Sequence, residues 1–305
     1  MGVAEEDWQE ARHHTMADKP YVPPSYATHF EAPPPGILFH YTGQTGLVGI
    51  VTRAELWATK IQYMNDATEF GLALGMARTH LKQIIENTSH TTERAAAQML
   101  LESLNGIEDI NIFAACFCEG GDLLSQWRGY AGGHQGYAIG FMTDALMQIA
   151  DRHEFTLGRC IYDRDTQRAI VEEAVAHCLL NELSFAAEKR WGFHGPLADL
   201  LFRYGVFFKD ASFKDEKEWR LVSPTVLYYH EKIRFRPGKS MITPYYALPI
   251  MNDGVLPIDV VVIGPCPHME LSKSAVTSLL MRHGNRSPFS GGHVALGSEI
   301  PFRDW

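Results

Sequence analysis

The chain has 305 residues, is 46% hydrophobic and carries a formal net charge of −9. That is enough apolar material for one large or two small domains, and the negative balance argues against a protein held on nucleic acid mainly by phosphate contacts, though not against local contact. There is no run of about 18 apolar residues of the kind that spans a membrane, and no signal-peptide pattern at the N-terminus. Five cysteines (Cys116, Cys118, Cys160, Cys178 and Cys266) lack a framework spacing and read as reduced thiols of a cytoplasmic protein.

Residues 1–35 contain Pro23-Pro24 and Pro33-Pro34-Pro35 and are expected to form a flexible N-terminal extension. Residues 36–305 show no internal break and are expected to form one domain. Within it, 37–41 reads as a strand and 45–52 as a short helix. Phe70, Leu74, Ala77, Leu81, Ile84 and Ile85 fall at helical spacing, which predicts a long amphipathic helix from about residue 67, followed by another over 91–104. Strands are expected at 111–118 and 137–141, helix over 165–189, and short strands at 206–209 and 218–223. The run Ile258-Asp259-Val260-Val261-Val262-Ile263 is the clearest buried strand. A helix over 270–281 and an edge strand at 294–296 close the chain. Strands do not alternate one by one with helices, so the class is α+β rather than a doubly wound parallel sheet.

Three polar clusters stand out. His40-Tyr41-Thr42 ends the first strand and is trailed by Tyr63, Asn65, Asp66 and Glu69. A core strand has no need of His, Tyr and Thr at its exit, whereas a pocket gripping a sugar or nucleotide does. The second cluster runs from Asp122 through Ser125-Gln126-Trp127-Arg128 to Tyr130. Its structural alternative is a helix N-terminus capped by Asp122, with Trp127 in the core. The third, Glu216-Lys217-Glu218-Trp219-Arg220, would place both acids on one face of a strand. Like charges so placed are unfavourable unless a cation or a ligand hydroxyl meets them.

Other patterns are weaker. Gly43, Gly46 and Gly49 do not make a dinucleotide fingerprint, and Gly238-Lys239-Ser240 lacks the first glycine of a phosphate loop. Cys116 and Cys118 are too close for a zinc knuckle and have no second pair, so no metal site is predicted.

The clusters, in this order, resemble a large bacterial family of uncharacterised proteins. The residues that carry the resemblance are His40-Tyr41-Thr42, Leu56-Trp57-Ala58-Thr59, Asn65-Asp66, Glu69-Phe70, Ser125-Gln126-Trp127-Arg128, Tyr130-Ala131, Gly140-Phe141, Glu216-x-Glu218-Trp219-Arg220, Ile263-Gly264-Pro265 and Ile300-Pro301-Phe302-Arg303. More distantly, the opening strand, small helix and Leu-Trp-Ala-Thr stretch are similar to the start of ADP-ribosyltransferases of the DNA-modifying toxin branch. That resemblance implies a single mixed domain with a central, mainly antiparallel split sheet flanked by helices. It implies an enzyme that takes NAD as substrate and passes ADP-ribose to an acceptor, protein or nucleic acid, in a toxin or phage-defence setting.

On this resemblance Glu218 holds the ribose 2′-hydroxyl in an oxocarbenium-like state, and Glu216 orients the acceptor. His40, Tyr41, Thr42, Asn65 and Ser125 belong to the ribose and nicotinamide pocket. Tyr63 or Tyr130 stacks on the nicotinamide, and Arg128 meets the pyrophosphate. The Ser-Thr-Ser triplet of that superfamily is absent. Being nearly isosteric, Glu218→Gln is expected to abolish activity with the fold intact, and His40→Ala to weaken NAD binding more than stability. The alternatives are a metal-dependent hydrolase or nuclease, with Asp66, Glu69, Glu216 and Glu218 around Mg²⁺, and a nucleotide-binding sensor module without turnover.

Overall fold

In a computed structural model, the residues described are 21–29, 31, 33–64, 68–105, 107, 110–130, 136–185, 195–238, 240–283 and 294–301, without the side chains of 68–70, 130 and 182–185. The first half of the fold comprises α1 (Pro24–His29), β1 (Ile37–Gly43), α2 (Gln44–Arg53), β2 (Glu55–Lys60), a 3₁₀ turn (Ile61–Tyr63), α3 (Thr68–Asn87), α4 (Thr91–Ser103), β3 (Phe113–Cys118), α5 (Leu124–Tyr130), β4 (Gly136–Met142) and α6 (Thr143–Arg152). The second half comprises β5 (Thr156–Arg159), α7 (Arg164–Phe185), α8 (Pro196–Gly205), a 3₁₀ helix (Ala211–Glu216), β6 (Glu218–Val222), β7 (Ile233–Pro237), β8 (Ile242–Pro249), β9 (Ile258–Ile263), α9 (Met269–His283) and β10 (Val294–Gly297).

The strands form one ten-stranded sheet in the order β10-β9-β4-β1-β3-β2-β8-β7, with β6 joining β3 to β5. All pairings are antiparallel except β9 with β10. The mixed α and β class with a mainly antiparallel sheet flanked by helices is therefore what the chain adopts.

Both sheet faces are covered, and the alternation of side chains shows how. In β3, Phe113, Ala115 and Phe117 enter a core with Leu47, Ile50 and Val51 of α2, Leu146 and Ile149 of α6 and Leu280 of α9. Ala114 enters the opposite core with Leu74, Ala77 and Leu81 of α3, Val171 and Val175 of α7 and Leu201 of α8. A third, smaller core joins Tyr41, Cys118, Trp127, Val260 and Val262. Strands with apolar side chains on both faces read as continuous apolar runs.

Several elements differ from the sequence expectation. Residues 206–209 make no strand; Phe208 contributes only an isolated bridge to Ile161. Strands β2, β5, β7 and β8 and helices α1, α6 and α8 were not anticipated. The helix expected from about 67 is described from Thr68. The one expected over 165–189 is described to Phe185, its remainder lying outside the described residues, as does the stretch before Tyr21 in the expected extension. The part from Tyr21 to His29 is docked: the Ser25 hydroxyl donates to Glu173 at 2.6 Å, the Tyr204 hydroxyl donates to the Tyr21 carbonyl at 2.6 Å, and Tyr21 stacks on His177 at 3.8 Å.

Asp122 does not cap α5. It accepts from the indole N–H of Trp127 at 2.7 Å, from the Ser298 hydroxyl at 2.6 Å and from the Glu299 amide at 2.8 Å, tying α5 to the chain end beyond β10. Trp127 is 1% exposed and meets Tyr41 edge-on at 4.8 Å. Trp127→Ala is expected to lower the unfolding free energy by about 3–5 kcal/mol in chemical denaturation; a loss below about 1 kcal/mol would show that the ring does not hold this corner together.

Candidate functional site

The site begins with a shortage of strand edge. β6 runs alongside β3 from Ala114 to Cys118. The other edge of β3 is shared: β2 takes Phe113 and Ala114, and β1 takes Cys118. Between them the sheet opens, and the Cys116 carbonyl on that edge is met by a side chain, His40 Nδ1 at 2.8 Å. A carbonyl only accepts, so Nδ1 carries the proton and Nε2 keeps its lone pair. Burial lowers the pKa of His40, the Cys116 hydrogen bond opposes this, and the positive charge of Arg236 lowers it further.

The opening is a cleft of about 470 Å³, lined by His40, Tyr41 and Thr42 of β1, Trp57 and Thr59 of β2, Tyr63, Ser125 and Gln126 of α5, Lys209, Glu216, Glu218, Arg220 and Arg236, among others. A hollow of about 30 Å³ between His40, Gln126, Glu216 and Glu218 adjoins it, roughly the volume of one water molecule. Among the predicted residues, His40, Tyr41, Thr42, Tyr63, Ser125, Glu216 and Glu218 come together here.

Their roles divide. The Tyr41 hydroxyl is used by the fold: it donates to the Gly120 carbonyl at 2.9 Å and accepts from the Leu123 amide at 3.0 Å, fixing the loop before α5. The Thr42 Oγ1 lies 1.9 Å from where a Cβ on Gly46 would stand, so its place depends on that glycine. Tyr63 is 40% exposed and offers its ring at the cleft mouth. Arg128 is exposed on α5 and is not among the cleft-lining residues; the guanidinium in the cleft is Arg236, which the sequence reading did not single out. Asn65 and Asp66 lie outside the described residues, as do the side chains of Glu69 and Tyr130.

At the cleft floor is a buried charge cluster. One Glu218 oxygen accepts from Arg220 Nε at 2.7 Å, and the other is in contact with Lys209 Nζ. Lys209 also donates to Glu216 at 2.7 Å, and Arg220 donates to the Val206 carbonyl at 2.7 Å. Glu218, Lys209 and Arg220 are all buried. Burial raises the pKa of Glu218, but Arg220 and Lys209 outweigh it and hold the carboxyl at about 2. Burial likewise works against the charge on Lys209, while Glu218 and Glu216 raise its pKa above the ordinary lysine range. Burial, reinforced by the charge of Glu218, pushes the Cys116 thiol well up, so it is no thiolate nucleophile.

The two acids do not share one strand, contrary to the same-face expectation. Glu216 ends a 3₁₀ helix, and Lys217 adopts left-handed backbone at φ 44°. Glu218 then opens β6. This reversal turns both carboxylates onto Lys209. Lys209 was read as the end of a strand, and Arg220, though part of the third polar cluster, had no role in the NAD pocket. The signal that could have found Lys209 is a cation placed directly after the apolar run Val206-Phe207-Phe208, where burial demands a counter-charge.

Together these features define a mixed α and β protein with a polar cleft at a break in its sheet. Residues 126–221 match the model of a family described as a protein of unknown function, DUF2971; the span runs from the cleft-lining Gln126 to Leu221, one residue before the end of β6. No curated protein and no solved structure matches. Among the described residues no helix is long and apolar enough to cross a membrane.

The cluster corrects the expectation that Glu218→Gln leaves the fold intact. A neutral amide would leave two buried cations short of charge, which is expected to cost about 3–5 kcal/mol in the urea transition. Lys209→Met added to Glu218→Gln restores neutrality and is expected to recover part of that loss. Because the folded pKa of about 2 lies below the ordinary 4.5, the stability Glu218 contributes is complete above about pH 4.5 and is lost as pH falls from there toward 2. Wild type should lose stability through that window more steeply than Glu218→Gln; parallel acid curves would remove the ionised carboxylate from the account.

Proposed function

We propose that the cleft binds NAD and transfers its ADP-ribose to an acceptor. The observation that carries this reading is an ionised, buried Glu218 at the floor of a cleft walled by a neutral His40, Thr42, Ser125 and the aromatic rings of Trp57 and Tyr63. Ionised carboxylates are rarely kept inside a protein. One that opens on a cleft suits a reaction that builds positive charge.

In this reaction the bond from ribose C1′ to the nicotinamide nitrogen breaks, and its electron pair leaves with nicotinamide. Positive charge develops on C1′ and the ring oxygen. Glu218 stabilises it while accepting a hydrogen bond from the ribose 2′-hydroxyl. A carboxylate has about four acceptor positions. Arg220 and Lys209 each take one of those on Glu218, one on either oxygen, and the ribose hydroxyl takes one of the positions that remain. The acceptor attacks C1′, and Glu216, at the more open end of the cluster, orients it and takes its proton. His40 Nε2 and the Thr42 hydroxyl bond the ribose or the nicotinamide amide, and Tyr63 stacks on the ring.

A second reading is favoured by the engagement of Glu218 itself, since both its oxygens already serve the fold: the cleft then binds the nucleotide without turning it over. For the hydrolase alternative, Lys209 Nζ already sits between Glu216 and Glu218. No group of three or more His, Cys, Asp or Glu side chains among the described residues is arranged for a metal ion.

The deciding measurement is a thermal shift with NAD⁺ followed by nicotinamide release, for wild type and for Glu218→Gln at a temperature where circular dichroism shows it folded. A ligand-dependent rise in Tm with Glu218-dependent release supports transfer. A rise with no release supports the binding module, and neither signal removes both readings. His40→Ala is expected to weaken NAD binding by roughly tenfold while costing about 1–3 kcal/mol of stability, the cost of leaving the Cys116 carbonyl unpaired. A large drop in Tm with NAD affinity unchanged would make His40 purely structural.

A further inference from the structure

Strand β7 carries two arginines on one face, and their surroundings differ. Arg234 is neutralised by Glu55 at 2.9 Å. Arg236 lies half-buried at the cleft, with its guanidinium 6.0 Å from the centroids of Trp57 and Tyr245 and donating to the Thr59 hydroxyl at 2.9 Å. Among the described residues, no carboxylate lies within 4.0 Å of it. Its charge nevertheless reaches the cleft, since it helps to hold His40 neutral. Beside it the buried indole N–H of Trp57 has no acceptor among the described residues, and a second guanidinium, Arg53, lies 5.4 Å over the same ring. Among the described residues, then, Arg236 is a half-buried cation at the cleft, oriented by Thr59 and two rings, with no carboxylate in ion-pair range.

We propose that Arg236 is the anion-binding subsite of the cleft and takes a phosphate group of the bound nucleotide. The assignment rests on the reading of the cleft as a nucleotide site. A guanidinium oriented by the Thr59 hydroxyl and flanked by two aromatic rings presents its remaining N–H donors to a phosphate with less rotamer freedom to lose. It takes the place that the sequence resemblance gave to Arg128.

The test is calorimetric binding of NAD⁺, ADP-ribose, inorganic pyrophosphate and phosphate-free nicotinamide riboside to wild type, Arg236→Lys and Arg236→Gln, each checked for folding by circular dichroism. Arg236→Gln is expected to weaken NAD⁺ and ADP-ribose by about 10- to 100-fold and to leave nicotinamide riboside unchanged. Arg236→Lys, which keeps the charge but not the fork, should fall between. Equal affinity of wild type and Arg236→Gln for the phosphate-bearing ligands would overturn the subsite and leave the NAD reading standing. Arg236-dependent pyrophosphate binding without NAD⁺ binding would keep the subsite and remove NAD as the ligand. Failure of every phosphate-bearing ligand to bind wild type would remove both.

Discussion

β3 pairs with three strands, and an extended backbone has only two edges. β6 fills one of them from Ala114 to Cys118, so β1 and β2 divide the other. The opening between β1 and β2 follows from that division. A sheet gap in the interior exposes backbone groups that must be satisfied, and His40 meets the Cys116 carbonyl. The same side chain therefore closes the ladder and lines the cleft. This explains why a polar residue stands on a strand that is otherwise Ile, Leu and Phe at its start.

The charge cluster depends on the same strand. β6 follows the apolar alternation of β3, with Trp219 and Leu221 packed in one core, and so Glu218 and Arg220 project from the opposite face beside Cys118 and Cys116. Buried charges there are tolerable only as a set. Two cations, Lys209 and Arg220, meet two carboxylates, Glu216 and Glu218. The set is neutral overall, so what it does to a ligand depends on which end faces the cleft. Glu216 is the more open member, its side chain 25% exposed against 4% for Glu218. Burial and the mutual ion pairs hold these four groups in fixed positions.

How much of this could be read beforehand depended on the kind of signal. β1, β3, β4 and β9 are apolar on both faces or nearly so, and a run such as Ile258–Ile263 announces itself. β7 and β8 did not, because Pro237, Pro244 and Pro249 punctuate them and proline ordinarily argues against an inner strand. Yet β8 lies between β2 and β7, with Pro244 paired opposite Phe235. Missing β7 meant missing Arg236, since only strand alternation puts Arg234 and Arg236 on the cleft face. The convergence of Glu216 and Glu218 was anticipated for the wrong reason: it comes from the left-handed Lys217 rather than from strand periodicity. Most of the polar positions that form the cleft, Arg220 among them, were thus visible as residue types, while Lys209 and Arg236 needed the fold.

The net charge of −9 opposes the anionic ligand proposed for the cleft, but charge acts through distance and dielectric. In salt of ordinary strength, surface carboxylates more than about 8–10 Å from a bound phosphate are largely screened. A half-buried cation against low-dielectric walls is not. Arg236 is that cation: it donates to the Thr59 hydroxyl, lies beside the rings of Trp57 and Tyr245, and among the described residues has no carboxylate within 4.0 Å. The acidic surface then slows the approach of any polyanion without weakening the contact once made. A small, flexible dinucleotide loses less by this than a long nucleic acid strand, whose many phosphates would meet the acidic surface all at once.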